Sequence, residues 1–198
     1  TRGLLPARQG PQEVNIGDVL KVFLYKDSKD RLIATTNTPK LQLEQLAVLE
    51  VLEIGKIGAF LDWGLEKDLF LPFKEMTRKV EPGDEILVTL YIDKSRRLCA
   101  TMKGIYDLLS KESPYKEGDT VQGRVYEFSD NFGTFIAVDD RYSAMIPRHE
   151  DCSFLRIGDI IEARVTKVKP DGKLDLTMRQ KAYLQMNPDA EKVLEIID

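Results

Sequence analysis

Few residues in this sequence have the type and spacing that catalysis or metal binding requires. His149 is the only histidine, which disfavours a His-based triad. The two cysteines, Cys99 and Cys152, do not have the paired spacing of zinc ligands, and the sequence contains no phosphate loop or dinucleotide fingerprint. Carboxylates are abundant but scattered through turns, so a paired-carboxylate nuclease site stays an alternative that no spacing indicates. We therefore expect no enzyme activity, no cofactor and no metal ion.

Aromatic residues, in contrast, recur at a fixed place next to glycine. Phe132 and Phe135 flank Gly133 at the start of a short apolar strand pattern, and Phe60 follows Gly58 in a similar pattern 75 positions earlier. Three pairs of landmarks keep this offset of 75 without a gap: Gly58 and Gly133, Pro72 and Pro147, and Gly83 and Gly158. A constant offset over three landmarks indicates an internal duplication.

A third, incomplete copy opens the chain. It is aligned with the middle copy by an offset of 66 positions in three pairs: Pro6 and Pro72, Gly17 and Gly83, and Arg31 and Arg97. It contains a short apolar segment, Gly3 to Pro6, and two predicted strands, Val19 to Tyr25 and Leu32 to Thr35. The first two strands of the repeat are absent. Because half a barrel leaves unpaired strand edges, we expect these strands upstream in the full-length protein.

The repeats predict an all-β protein of tandem five-stranded barrels, with the first barrel incomplete. We expect a partial barrel at 1–38, complete barrels at 43–103 and 116–179, and at 180–198 a helix that leads into a further segment. Five short strands per copy suit the oligonucleotide/oligosaccharide-binding (OB) barrel, whereas a sandwich needs about seven. A short helical connector is predicted over 104–112. The C-terminal helix is predicted from Asn187 as cap and Pro188 in the first turn.

Composition sets limits on compartment and partners. The net charge of −4 counts against nucleic-acid binding, which is more often carried out by basic proteins. Two cysteines without metal spacing fit a reduced, intracellular protein, and no apolar run approaches the roughly 20 residues that span a bilayer. We therefore expect a cytoplasmic protein without membrane contact; no feature of the sequence indicates an oligomeric state.

The glycine-centred aromatic strand, the short apolar strand, the Gly-Asp turn and the Asp-x-x-x-Arg hairpin together resemble the S1 RNA-binding domain, an OB barrel. Three longer stretches are similar to the conserved virulence factor B family of bacterial proteins: Phe23 to Asp27, Asp30 to Thr35 and Gly58 to Pro72. That family resembles a string of S1 domains followed by a winged helix, which here would lie mostly beyond Asp198. The resemblance implies a cytoplasmic RNA-binding regulator of gene expression.

The copies depart from the S1 pattern in different ways. The last copy keeps both aromatics, whereas the middle copy has Ile57 in place of one. S1 domains often have histidine where the three copies have Pro6, Pro72 and Pro147. The Asp-x-x-x-Arg pair is kept as Asp27 with Arg31 and as Asp93 with Arg97, and it is replaced in the last copy by Lys169 with Lys173. No copy has the complete set, so we expect weak binding by any single barrel.

The resemblance places single-stranded RNA on the aromatic face of a barrel, where rings stack on bases at about 1–3 kcal/mol each and cations neutralise phosphates. The candidate RNA-binding residues are the aromatic residues Phe60, Phe132 and Phe135 and the basic residues Arg31, Arg97, Lys169, Lys173, Arg148 and His149. The alternative interpretations are that the rings belong to the core and that the Asp/Arg pairs are solvated ion pairs of small energetic worth.

Two other functions are compatible with these patterns. The barrels could have lost RNA contacts and act as a scaffold for a ribosome- or RNA-associated protein, which the acidic net charge favours. They could also hold the substrate for a ribonuclease whose catalytic part lies outside this chain.

Overall fold

The computed structural model describes residues 2–179 of the 198-residue chain. The chain divides into two compact units, Thr1–Leu109 and Ser110–Asp198. The predicted C-terminal helix at 180–198 lies outside the described residues. Within residues 2–179 no helix is long and apolar enough to cross a bilayer.

The incomplete copy at the start of the first unit contributes one hairpin. Strands β1 (Phe23–Lys26) and β2 (Leu32–Thr35) pair antiparallel, with Tyr25 opposite Ile33. The predicted strand at Gly3 to Pro6 is reduced to a single parallel bridge between Leu4 and Ile33. The strand predicted to start at Val19 starts at Phe23, because within residues 2–179 no other strand pairs with residues 14–22.

The rest of the first unit is a five-stranded sheet with the predicted strands. Its strands are β3 (Leu46–Ile54), β4 (Gly58–Asp62), β5 (Leu69–Pro72), β6 (Glu85–Ile92) and β7 (Leu98–Thr101), in the order β5-β4-β3-β6-β7. A 3-10 turn, Phe73–Glu75, follows β5, and its Glu75 carbonyl accepts the Met102 N–H at 3.0 Å, which ties the two ends of the sheet together. Apolar residues fill the interior, among them Leu49, Val51, Leu61, Leu69, Leu71, Ile86 and Val88.

The connector between the copies is shorter than predicted. Helix α1 spans only Ile105–Leu108. Leu109 has an extended backbone, and Ser110 forms a parallel bridge with Tyr142. The backbone that would continue the helix is therefore used in strand pairing.

The second unit contains a closed five-stranded barrel. Strands β8 (Thr120–Ser129), β9 (Gly133–Val138), β10 (Tyr142–Pro147), β11 (Ile160–Val168) and β12 (Leu174–Thr177) follow one another around it as β10-β12-β11-β8-β9. The parallel pair β10 and β12 closes the barrel, with Ala144 opposite Leu174. This is the same connection that Leu4 and Ile33 make in the incomplete copy. The prediction of tandem five-stranded OB-type barrels, with an incomplete first one, is confirmed.

The duplication is visible in the details of the backbone. A bulge interrupts the first strand of each complete copy, between Val51 and Glu53 in one and between Val125 and Glu127 in the other. Gly58 and Gly133 begin the second strand at the same register, opposite Pro72 and Pro147. A Cβ atom at either glycine would collide with a backbone carbonyl, of Leu71 or of Ile146. These positions therefore require glycine because two strands approach closely there.

The Gly-Asp turns are also a repeated device. In each, the aspartate carboxylate accepts a backbone N–H three residues earlier at 2.8–2.9 Å; the pairs are Asn15 with Asp18, Glu81 with Asp84, Lys116 with Asp119, and Arg156 with Asp159. The entry to β3 has the same geometry with Gln45 in place of aspartate, since the Gln42 N–H donates to its side chain at 3.2 Å. Glu44 there takes the position of the glycine with φ of 63°.

Candidate nucleic-acid interface

The outer surface of the last barrel carries a row of large side chains across three neighbouring strands. Phe135 on β9 lies opposite Met145 on β10 and opposite Glu127 beside the bulge of β8. The ring of Tyr126, at the bulge, stacks on the ring of Phe135 with centroids 6.1 Å apart and planes inclined at 26°. We call Tyr126, Phe135 and the thioether side chain of Met145 the aromatic row, after its two rings. Tyr126 is only 6% exposed, so Phe135 and Met145 form the accessible part of the row. Because residues alternate between the two sides of a strand, Thr134 and Ile136 are buried while Phe135 stays half-buried.

Phe132 stands at the end of this row, in the turn between β8 and β9. Its side chain is 62% exposed. Its N–H donates to the Ser129 hydroxyl at 3.3 Å, and its carbonyl accepts the Arg148 N–H at 3.0 Å. The backbone of Arg148 is thereby fixed beside Phe132, and the side chains of Arg148 and His149 are exposed. Phe132, Phe135 and Arg148 thus lie in one region of the last barrel.

The lysines of the β11–β12 hairpin are held by carboxylates. Lys169 pairs with Asp175 at 3.3 Å and Lys173 with Asp171 at 3.4 Å. Asp175 lies opposite Met145, so Lys169 reaches the edge of the aromatic row. The pKa of Asp171 is lowered, first by the N–H of Lys173 and further by the charge of its amine. The Asp171 side chain is 46% exposed, and exposed ion pairs are worth about 0–1 kcal/mol, so a phosphate can replace this carboxylate partner. The Asp175 side chain is only 18% exposed.

The middle barrel carries the equivalent ring pair. Phe60 on β4 lies opposite Phe70 on β5, with ring centroids 5.5 Å apart and planes at 42°. Phe60 corresponds to Phe135 and Phe70 to Met145 by the offset of 75. The sequence reasoning overlooked Phe70, although the alternation of Leu69, Phe70 and Leu71 together with this offset indicates it. Tyr126 was overlooked because the last copy has one more residue between the bulge and Gly133 than the middle copy has before Gly58, so Tyr126 corresponds to Leu52 by an offset of 74 instead of 75.

The two predicted Asp/Arg hairpin pairs differ in the structure. Arg31 pairs with Asp27 at 2.7 Å, within its own hairpin. The side chain of Arg97 instead reaches Asp30 of the incomplete copy at 2.7 Å, and only its N–H contacts Asp93, at 3.0 Å. The interpretation of Asp93 and Arg97 as a side-chain pair is therefore wrong. The Asp93 carboxylate instead accepts a hydrogen bond from the Cys99 thiol at 3.6 Å.

A pocket of about 430 Å³ lies between the β1–β2 hairpin and the middle barrel. Tyr25, Lys26 and Ser28 line it from the hairpin, and Phe60 and Phe70 line it from the barrel. We call this cavity the hairpin pocket. Other barrel residues around it are Trp63, Lys67, Asp68, Asp93, Arg97 and Cys99.

Within residues 2–179, no group of three or more His, Cys, Asp or Glu side chains is arranged to hold a metal ion. The pKa of the Cys99 thiol is raised to about 11, mainly by burial and then by the charge of Asp93. A thiol with such a pKa is a poor nucleophile at neutral pH.

Comparisons with known proteins agree with this architecture. The family model described as S1 domain matches residues 2–37 and 45–103. A model described as Virulence regulatory factor CvfB, second domain, matches residues 107–180. Neither description names an enzyme.

Individual relatives extend along nearly the whole chain. Conserved virulence factor B of Staphylococcus aureus is 21% identical over 193 residues, which is 93% of this chain and 64% of the relative. The YitL protein of Bacillus subtilis is 26% identical over 96% of this chain and 66% of its own length. The chain thus spans slightly less than two thirds of each relative.

A solved structure shares the fold. The crystal structure of a multidomain protein with nucleic acid binding domains from Streptococcus pneumoniae has a TM-score of 0.63 and 23% identity, and the match covers 96% of this chain and 70% of that one. The two family models, the tandem barrels and the relatives point to one assignment. The chain belongs to the conserved virulence factor B family, with S1 domains matched at residues 2–37 and 45–103.

Proposed function

We propose that the chain binds single-stranded RNA on the outer face of the last barrel and acts as a cytoplasmic regulator of gene expression. The observation that carries this proposal is the aromatic row, with the exposed ring of Phe132 at its end and Arg148 fixed beside it. The names of the staphylococcal relatives and of the matched family model supply the regulatory part of the proposal.

The geometry suits unpaired bases rather than a duplex. A flat ring that is half-buried on a barrel surface stacks on any base, so binding depends little on sequence. Arg148, His149 and Lys169 border the row and attract the phosphates, while Lys173 extends this basic edge along the β11–β12 hairpin. Further barrels in the same chain raise the affinity by effective concentration.

The test is fluorescence anisotropy of a labelled oligouridylate at low and high salt. Affinity should fall with salt at a log-log slope of about −0.7 for each phosphate contacted. The double variant Phe132→Ala/Phe135→Ala should weaken binding strongly. Phe154→Ala is the matched control, because Phe154 is also 62% exposed and lies in the same unit. Equal losses in the double variant and the control, or salt-independent binding, would contradict the proposal.

A protein-docking scaffold is the second candidate. It is favoured by the pairing of predicted RNA-contacting cations with carboxylates, namely Arg31, Arg97, Lys169 and Lys173. The net charge of −4 points in the same direction. Absence of RNA binding at both salt concentrations would support this function, and the partner would then be a ribosome- or RNA-associated protein.

A further inference from the structure

The hairpin pocket has walls from two different copies of the repeat, and a shared core holds these walls together. Tyr25 and Ile33 of the hairpin belong to the same cluster of buried residues as Leu61 and Leu69 of the middle barrel. Because the hairpin is anchored in this core, the pocket is formed before any ligand arrives.

Polar contacts and a ring contact fix the same arrangement from the surface. Arg97 reaches Asp30 at 2.7 Å, and the amine of Lys67 donates to the carbonyl of Lys26 at 3.0 Å. Phe23 meets the ring of Trp63 edge-on, with centroids 5.8 Å apart. On the middle barrel, the surface with Phe60 and Phe70 corresponds to the aromatic row of the last barrel. The hairpin covers part of this surface and leaves a pocket beside it.

The size and lining of the cavity suit one flat ring. Ligand pockets commonly measure about 300–1,000 Å³, and about 430 Å³ lies at the lower end of that range. Phe60 and Phe70 supply aromatic surface on one side and Tyr25 supplies it on another. The space is large enough to accept a single base.

The charges around the pocket favour a neutral ligand over a phosphate. Three cations, Lys26, Lys67 and Arg97, line it together with the carboxylates Asp68 and Asp93, and Arg97 is already paired with a third carboxylate, Asp30. With Asp30 included, three cations are matched by three carboxylates, so the pocket has no excess of positive charge. The pKa of Lys67 is lowered, first by burial and then by the charge of Arg97.

Lys67 nevertheless has hydrogen-bond donors to spare. An ammonium group carries three N–H donors, of which the Lys26 carbonyl takes one. A ligand oxygen inside the pocket can accept another. Uracil, cytosine and guanine have such a carbonyl oxygen on the base, and adenine has none.

We propose that the hairpin pocket binds one unpaired, carbonyl-bearing nucleobase, stacked against Phe60 and Phe70 and hydrogen-bonded to the amine of Lys67. This site rests on the proposed nucleic-acid function, yet it is separate from the face of the last barrel. It gives the first unit a preference among bases that the aromatic row lacks.

The single tryptophan of the chain reports on this pocket directly. Trp63 is 2% exposed, lines the cavity, and donates its indole N–H to the carbonyl of Lys67 at 2.6 Å. Titration of the full chain with hexauridylate should change the Trp63 emission, and hexaadenylate should do so at least about fivefold more weakly. The variants Phe60→Leu and Lys67→Gln should each weaken the hexauridylate response by about fivefold or more. Phe154→Leu, a ring removed elsewhere, should leave it unchanged.

The Trp63 response to the two oligonucleotides and to Lys67→Gln tests the pocket. A Trp63 response that is the same for both oligonucleotides, or that survives Lys67→Gln, overturns the proposal. Thermal melts show whether Phe60→Leu is folded; if it is not, Lys67→Gln decides alone. Anisotropy of labelled RNA, measured in parallel, separates the two sites. RNA binding without a Trp63 response refutes only the pocket, whereas absence of RNA binding in both measurements refutes the proposed function.

Discussion

The two phenylalanines of the last barrel should contribute unequally to RNA binding. Phe135 is half-buried and its ring already stacks on Tyr126 at 6.1 Å. Phe132 is 62% exposed, so its side chain must be ordered on binding at a cost of about 0.5–1.5 kcal/mol. Since a stacked base is worth about 1–3 kcal/mol, Phe135 should realise the upper part of this range and Phe132 the lower part.

This difference translates into measurable affinities. A loss of about 2–3 kcal/mol corresponds to roughly a 30- to 150-fold weaker complex, and a loss of about 1 kcal/mol to roughly fivefold. We therefore expect Phe135→Leu to weaken binding of a labelled oligouridylate several-fold more than Phe132→Leu. Leucine is chosen because it keeps apolar volume next to Tyr126 and Met145.

The control for this comparison is stability. Urea unfolding should show that both variants are folded under the binding conditions. This control is needed because Phe135 packs against its neighbours, so that its replacement can lower the stability of the barrel, whereas Phe132 is exposed. If the folded Phe132→Leu variant binds more weakly than the folded Phe135→Leu variant, the reasoning from preorganisation is refuted. Equal effects would mean that the ordering of the ring has no influence on affinity.

Three further predictions concern the repeated backbone devices, each measured by urea unfolding. Gly133→Ala should destabilise the second unit by about 2–5 kcal/mol, because the backbone strain at φ of 140° adds to the collision with the Ile146 carbonyl. Gly118→Ala is the control: this glycine has open space around it, so the substitution should cost only about 1–2 kcal/mol. Equal losses of stability in the two variants would contradict the close approach at Gly133. Glu44→Gly should stabilise the first unit by roughly 0.5–1 kcal/mol, because φ at this position is 63°; a loss of stability would show that the Glu44 side chain makes a compensating contact. The N–H of Glu81 is the main cause that lowers the pKa of Asp84, with Arg78 adding to it. This carboxylate therefore contributes stability above its unfolded pKa of about 3.9, and the contribution is lost as the pH falls through the lower folded pKa. Asp84→Asn should be less stable than wild type at neutral pH, and the difference should shrink as the pH falls through the folded pKa; a difference that stays constant with pH would contradict the assignment.

The strands were predictable because the repeat supplied its own alignment. Offsets of 75 and 66 positions placed glycines, prolines and turns before any periodicity was needed, and the register of β4 with β5 repeats in β9 with β10. The helix over 104–112 was overestimated because its apolar spacing says nothing about Ser110 pairing with Tyr142. A local pattern cannot reveal a bridge to a strand 32 positions away.

The candidate site was predictable only in part. Phe60, Phe132 and Phe135 lie on or beside the outer faces where the resemblance implied, although their contact with RNA stays a proposal. The partners of the cations were not predictable, because Asp30 and Arg97 are 67 positions apart and meet only when the hairpin docks. Lys67 gave no signal at all, since its importance comes from the carbonyl of Lys26 and from burial.

The common core of the hairpin and the middle barrel also has a consequence for calorimetry. The sequence contains three copies of one repeat. Tyr25 and Ile33 of the first copy nevertheless share their buried cluster with the middle barrel, and the last barrel has a separate cluster. Residues that share a core lose their packing together. A scan of heat capacity should therefore resolve no more than two endotherms from the described residues, and the hairpin should melt with the first unit. The number of copies in the sequence thus exceeds the number of cooperative melting units.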